Sequence, residues 1–99
     1  MAVLSLDYEP CIGIHLPEPR PGRTAIRWYP TRSPYERVRV RAYTCHCEPM
    51  IYELCQIGGQ RFIRRARKNG SIPILEETSR GSALRTQLLW DCLLAGNAR

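Results

Sequence analysis

Cys45, His46 and Cys47 stand in succession and Cys55 follows eight residues later, so four side chains of the kinds that bind zinc lie close together in the chain. Structural zinc sites usually use cysteine pairs separated by two to four residues, which a turn folds round the ion. Here the pair is C-x-C. On a strand, residues two apart share a face and the residue between them points the other way. Strand geometry therefore puts Cys45 and Cys47 together with His46 opposite, and a bend at Glu48-Pro49 is needed to bring Cys55 back beside them. The expectation is buried or incidental thiols and no cofactor, with Cys45, His46, Cys47 and Cys55 as the residues a metal would use. Cys11 and His15 lie in the amino-terminal region and add little to that set. A Cys-His nucleophile pair meets the same obstacle, because it needs the imidazole within hydrogen-bond reach of the thiol. The neighbouring carboxylates Glu76 and Glu77 are split between faces in the same way. No phosphate-binding glycine loop, nucleophile elbow or HExxH motif is present, so the chain reads as a non-enzyme.

Arginine is the stronger signal. The cations are fourteen arginines and one lysine, against nine carboxylates, which leaves a formal charge of +6. Such a balance favours anionic partners. In "ERVRVRAYT", Glu36 to Thr44, Val38, Val40 and Ala42 point one way while Arg37, Arg39, Arg41 and Tyr43 point the other. In "QRFIRRAR", Gln60 to Arg67, Arg61, Arg65 and Arg67 share a face with Ile63, and Arg64 falls with Phe62 and Ala66. If the rows align, an arginine face opposite the helix results. Arg37, Arg39, Arg41, Arg61, Arg64, Arg65, Arg67 and Lys68 would then contact phosphates, bidentately in the case of arginine, and Tyr43 would stack on a base. The other use for such rungs is to keep exposed strands from pairing with other chains.

These side chains need elements to hold them. Six of the eight prolines fall between Pro10 and Pro34, where each removes a donor and restrains its predecessor. Residues 1–34 thus read as an extended, proline-rich arm, with short strands expected at Ala2 to Tyr8 and Thr24 to Tyr29. Residues 35–99 read as the folded domain. Within it, Gly58-Gly59 joins Met50–Ile57 to Gln60–Arg67 through a turn with positive φ at both glycines, and Asn69-Gly70 joins the latter to Ser71–Thr78. Pro73 marks this last run as an edge strand. In "GSALRTQLLWDCLLAGNAR", Ser82 is the expected N-cap and Gly96-Asn97 the helix stop. Leu84, Leu88, Leu89, Cys92 and Leu93 make one apolar face, which Trp90 and Leu94 widen. Buried leucines at about 1.5–3 kcal/mol each would make this helix a main source of stability.

The fold class that follows is α+β: an antiparallel meander of three to five strands with one C-terminal helix packed on one face. The element order over Met50 to Gly96 resembles the sheet-reading DNA-binding modules of tyrosine-recombinase arm-binding domains and plant AP2 factors. No residue motif accompanies the resemblance, and it transfers no site.

Length and composition bound the rest. Ninety-nine residues suit a single core. Five cysteines without a repeated C-x-x-C argue against a disulfide framework. Met1 to Pro19 does not read as a secretory signal, and no apolar run approaches the roughly 20 residues that span a bilayer, so a cytoplasmic protein that does not contact membrane is expected. The leading functional expectation is an accessory or regulatory module that binds nucleic acid, DNA rather than RNA. The alternative is a protein-interaction or homodimerising domain that presents Trp28, Tyr29, Tyr35 and Trp90 to an acidic or like surface. A small zinc domain is the third.

Overall fold

Met50–Ile57 and Gln60–Arg67 pair along their whole length, from Met50 opposite Arg67 to Ile57 opposite Gln60. The computed structural model describes residues 13–31, 36–68 and 71–99. The strand expected at Ala2 to Tyr8, the Asn69-Gly70 turn, Cys11 and Tyr35 lie outside the described residues. The strands are β1 (Tyr29–Pro30), β2 (Arg39–Tyr43), β3 (Met50–Ile57), β4 (Gln60–Arg67) and β5 (Ile74–Glu77), followed by helix α1 (Ala83–Leu94). They form one antiparallel sheet in the order β1-β5-β4-β3-β2. The expected meander is therefore present, with β1 added to its far edge.

Three local expectations are corrected. At the β3–β4 turn φ is positive at Gly58 alone, at 57°; glycine at the first central position is the pattern of a type II′ turn rather than I′. β5 is not an edge over Glu76 and Glu77, since β1 covers it there. Pro73 precedes the strand and so removes no ladder donor. Thr24 to Tyr29 is not a strand: only Tyr29–Pro30 pairs with β5, and Thr24 makes a single bridge to Ala98.

The helix begins and ends where its caps dictate. Ser82 Oγ accepts from the Arg85 N–H. At the other end Asn97 N–H donates to Cys92 O at 2.8 Å and Gly96 N–H to Leu93 O at 3.1 Å, the paired bonds of a Schellman stop, with Gly96 left-handed at φ 82°. Its buried face is not the leucine-rich one. Thr86, Trp90 and Leu93 are buried, whereas Leu84 is 71% and Leu88 57% exposed and Cys92 is exposed. Residues four and three apart share a stripe, and the stripe through Trp90 covers Tyr52, Leu54 and Ile63. Thr86 can lie at its centre because its hydroxyl donates to Ser82 O at 2.8 Å and approaches Arg61 O at 3.3 Å, leaving no unpaired polar group.

The described part of the proline-rich region packs along this body. Ile14 bridges Thr44 in parallel, Arg20 N–H donates to Gly96 O, and Ile26 N–H donates to Arg99 O. Leu16, Ile26 and Trp28 lie against the core cluster. Residues 13–31 thus pass from the end of β2, round the C-terminal tail, to the β5 edge. On the sheet face away from the helix, Cys55 and Phe62 are fully buried, and the Arg80 guanidinium sits 4.5 Å from the Phe62 ring centroid.

Candidate functional site

The arginine rows are placed by register, and one irregularity redistributes them. Val40 pairs with Cys55 but Ala42 pairs with Leu54, so Arg41 is the extra residue of a bulge and the sides swap across it. Val40 and Ala42 consequently face opposite sides, not the same side. Arg39 falls in a cross-strand row with Gln56 and Arg61. Tyr43 falls in another with Glu53, Arg64 and Glu77. The single ladder Arg37, Arg39, Arg41, Tyr43 does not form.

The face is corrected as well. Ile63 belongs to the cluster under Trp90, and Arg61, Arg65 and Arg67 share its side of β4 by alternation. They lie on the helix side of the sheet, not opposite it. Arg65 stacks over Trp28 at 4.3 Å and donates to Glu76 at 2.8 Å, with Arg67 3.9 Å from the same carboxylate. On the other side Arg64 donates to Glu53 at 2.8 Å. Lys68 Nζ donates to the His46 carbonyl.

Arg80, which no local pattern marks out, is the most completely bound. Its side chain is only 5% exposed. It holds Glu36 through a fork of 3.0 and 2.8 Å and Glu77 through Nε at 3.0 Å. Hydrogen bonds to Glu36, then to Glu77, hold its guanidinium in the charged form still more firmly than usual.

Among the described residues the arginines without a carboxylate partner include Arg41, Arg85 and several of the amino-terminal segment and C-terminal tail, and three of them, Arg37, Arg39 and Arg61, gather at one end of the sheet. Arg37 and Arg39 line a polar depression of about 280 Å³ with Gln56, Ile57 and Gly58, and Arg61 is next in the cross-strand row. The start of α1 lies at the same end, fixed by Thr86 on Arg61 O and the Arg61–Gly81 bridge. Its first turn has no acidic residue. The aromatics named for an interaction surface divide: Trp90 is buried, Trp28 is half-buried against Tyr52 and beneath Arg65, and Tyr29 is exposed.

The cysteines and histidines are arranged by a turn rather than a strand. β2 ends at Tyr43, and the chain turns through His46 and Cys47. Cys45 points inward and is buried, whereas Cys47 is exposed, and their sulfurs lie 3.3 Å apart. His46 is turned to Tyr43, ring centroids 5.1 Å apart. Cys55 is remote from them in β3, and burial pushes its thiol up from 9.0 to about 11, against the opposing pull of Arg64.

The imidazole beside the thiols belongs instead to His15. Its Nε2 is 3.6 Å from Cys47 Sγ, and its Nδ1 is 3.5 Å from Glu48 Oε1. The donor atoms of His15, Cys45 and Cys47 all lie within 4.8 Å of one another. Sequence spacing offered no route to His15, because a pairing between Ile14 and Thr44 brings it there: Cys45 N–H donates to Ile14 O at 2.9 Å. Gly13 permits that approach, since a Cβ there would meet Cys45 Cα at 2.6 Å.

No helix among the described residues is long and apolar enough to cross a membrane. No protein-family model matches the chain, and neither a curated protein nor a solved structure does.

Proposed function

We propose that this protein is a small non-enzymatic accessory or regulatory module that binds nucleic acid through backbone phosphates, at the β3–β4 turn end of the sheet. One observation carries the reading: Arg37, Arg39 and Arg61 gather there without carboxylate partners, while Arg64, Arg65 and Arg80 are neutralised elsewhere. Unpaired guanidiniums are bidentate donors matched to phosphate oxygens. The N-terminal end of α1 adds positive potential on the same side. Trp90 is buried and Trp28 stacks under Arg65, so these two tryptophans serve packing, which supports the phosphate-binding reading over an aromatic contact surface.

Duplex DNA is the first ligand to test, by fluorescence polarisation of a short labelled duplex over a salt series, with RNA in parallel. Binding should weaken steeply with salt, log affinity falling by about 0.9 per neutralised phosphate for each unit of log salt. Arg39→Ala and Arg61→Ala should each make the slope shallower by about 1, and Arg64→Gln should leave it unchanged. Absence of binding to either polymer at low salt would end this reading.

A second reading rests on a different observation. Leu84 and Leu88 are exposed, and Leu88, Leu89 and Cys92 line a cavity of about 350 Å³ with Thr78 to Gly81. A protein partner or a second copy covering this surface would show as a dimer or complex in light scattering that Leu88→Glu abolishes.

A further inference from the structure

The His15, Cys45 and Cys47 cluster has the composition and spacing of a cation site, and nothing in the phosphate-binding reading uses it. We propose that these three side chains bind one zinc-class divalent ion, which ties the amino-terminal segment to the turn after β2. Zinc–sulfur bonds of about 2.3 Å and zinc–nitrogen bonds of about 2.0–2.1 Å, set at tetrahedral angles, require S···S of about 3.8 Å and S···N of about 3.5 Å. The distance from Cys47 Sγ to His15 Nε2 is 3.6 Å. The sulfurs, at 3.3 Å, need to part by only about half an ångström to meet that tetrahedron.

A carboxylate also stands behind the histidine. His15 presents Nε2 to the sulfurs and turns Nδ1 toward the Glu48 carboxylate at 3.5 Å. A ligating histidine ordinarily gives its other nitrogen to a carboxylate, which sets the tautomer and orients the ring. Glu48 is therefore a positioning residue. The ligand types select the ion: two thiolates and an imidazole suit zinc, whereas calcium and magnesium take oxygen. Among the described residues the cluster supplies three donors, and a tetrahedral zinc ion takes its fourth ligand from water or a further side chain.

The backbone explains why such an ion would matter to this fold. His15 and Cys47 are 32 positions apart, and the described backbone pairing between their segments is the short bridge of Ile14 with Thr44, through which Cys45 N–H donates to Ile14 O. An ion shared by the two segments closes that loop, and since the unfolded chain has no such site, binding energy becomes folding energy.

The test uses the full chain, purified under reducing conditions, with Zn²⁺ and Co²⁺ as probes. We expect one metal per chain by elemental analysis. Co²⁺ should give the intense visible bands of tetrahedral coordination with sulfur-to-metal charge transfer, and Zn²⁺ should displace it. His15→Ala and Cys47→Ser, both at exposed positions, should abolish stoichiometric binding while circular dichroism retains the sheet and helix. Glu48→Gln should weaken affinity about 10- to 100-fold, and Cys92→Ser should bind as the parent does. The proposal is overturned if the folded parent takes up no stoichiometric metal, or if His15→Ala and Cys47→Ser bind it as tightly as the parent. Loss of binding in Cys92→Ser to the same degree would overturn it as well.

Discussion

The two ends of the sheet are built by opposite means. At the β3–β4 end, residues adjacent in sequence make a tight turn, and Arg39 and Arg61 are delivered there by ladder register, with Arg37 just before β2 beside them. At the other end, beyond β2, the turn through Cys45 to Glu48 is completed by Gly13 to His15, which arrive from thirty residues upstream. The first arrangement leaves charge unsatisfied and directed outward. The second gathers one buried and two exposed soft donors around one point. Local pairing positions side chains in rows, whereas a point site needs a segment from elsewhere in the chain.

The largest test of this contrast is Arg80, which closes the face behind the first end. Arg80→Ala leaves Glu77, itself buried, without its partner. Removing one member of a buried pair costs about 3–5 kcal/mol, so urea denaturation should show a loss of that order, and Arg80→Lys should recover only part of it because a single ammonium cannot match the fork on Glu36.

Cys55 supplies the next. Its thiol is held protonated in the folded chain to about pH 11, against 9.0 ordinarily. A raised acid contributes stability below its unfolded pKa and loses that contribution as pH rises towards the folded value. Stability should therefore fall by about 2–3 kcal/mol between pH 9 and 11. Cys55→Ala should flatten that fall, and a parent curve no steeper than the variant's would contradict this account.

The smallest effects separate the ends most cleanly. Gly13→Ala drives a Cβ into the Cys45 backbone and should cost about 1–3 kcal/mol, as overpacking does, while weakening metal uptake. Gly58→Ala meets nothing within 4 Å but must hold φ at 57°, so it should cost about 1 kcal/mol and leave metal uptake alone. Denaturation midpoints and metal stoichiometry measured together distinguish the two.

How far each part was legible in the residues follows the same division. The β3–β4 hairpin, the Ser82 cap and the Gly96 stop are local signals, and the structure has all three. The β2 alternation misled because one bulge at Arg41 reverses side-chain direction, and no residue in "RVRVR" marks where the ladder slips. The helix misled in a related way: its leucines outnumber its other apolar residues, yet Trp90 covers more of the sheet than a leucine can, and the helix turns to bury it. Arg64 and Arg65 looked like surface cations until Glu53 and Glu76 were placed across the ladder from them.

Taken by itself, the sequence determined the class of the fold, the order of its strands from β2 to β5, the limits of the helix and the excess of arginine. These depend on neighbours within a few residues, where backbone preference and side-chain period act. Only the tertiary structure decided which arginines stay unpaired, which face of the helix is buried, and that His15 rather than His46 stands beside Cys45 and Cys47. Each of those turns on a contact between distant segments, set by ladder register and the competition to bury large side chains, and such contacts leave no periodic trace along the chain.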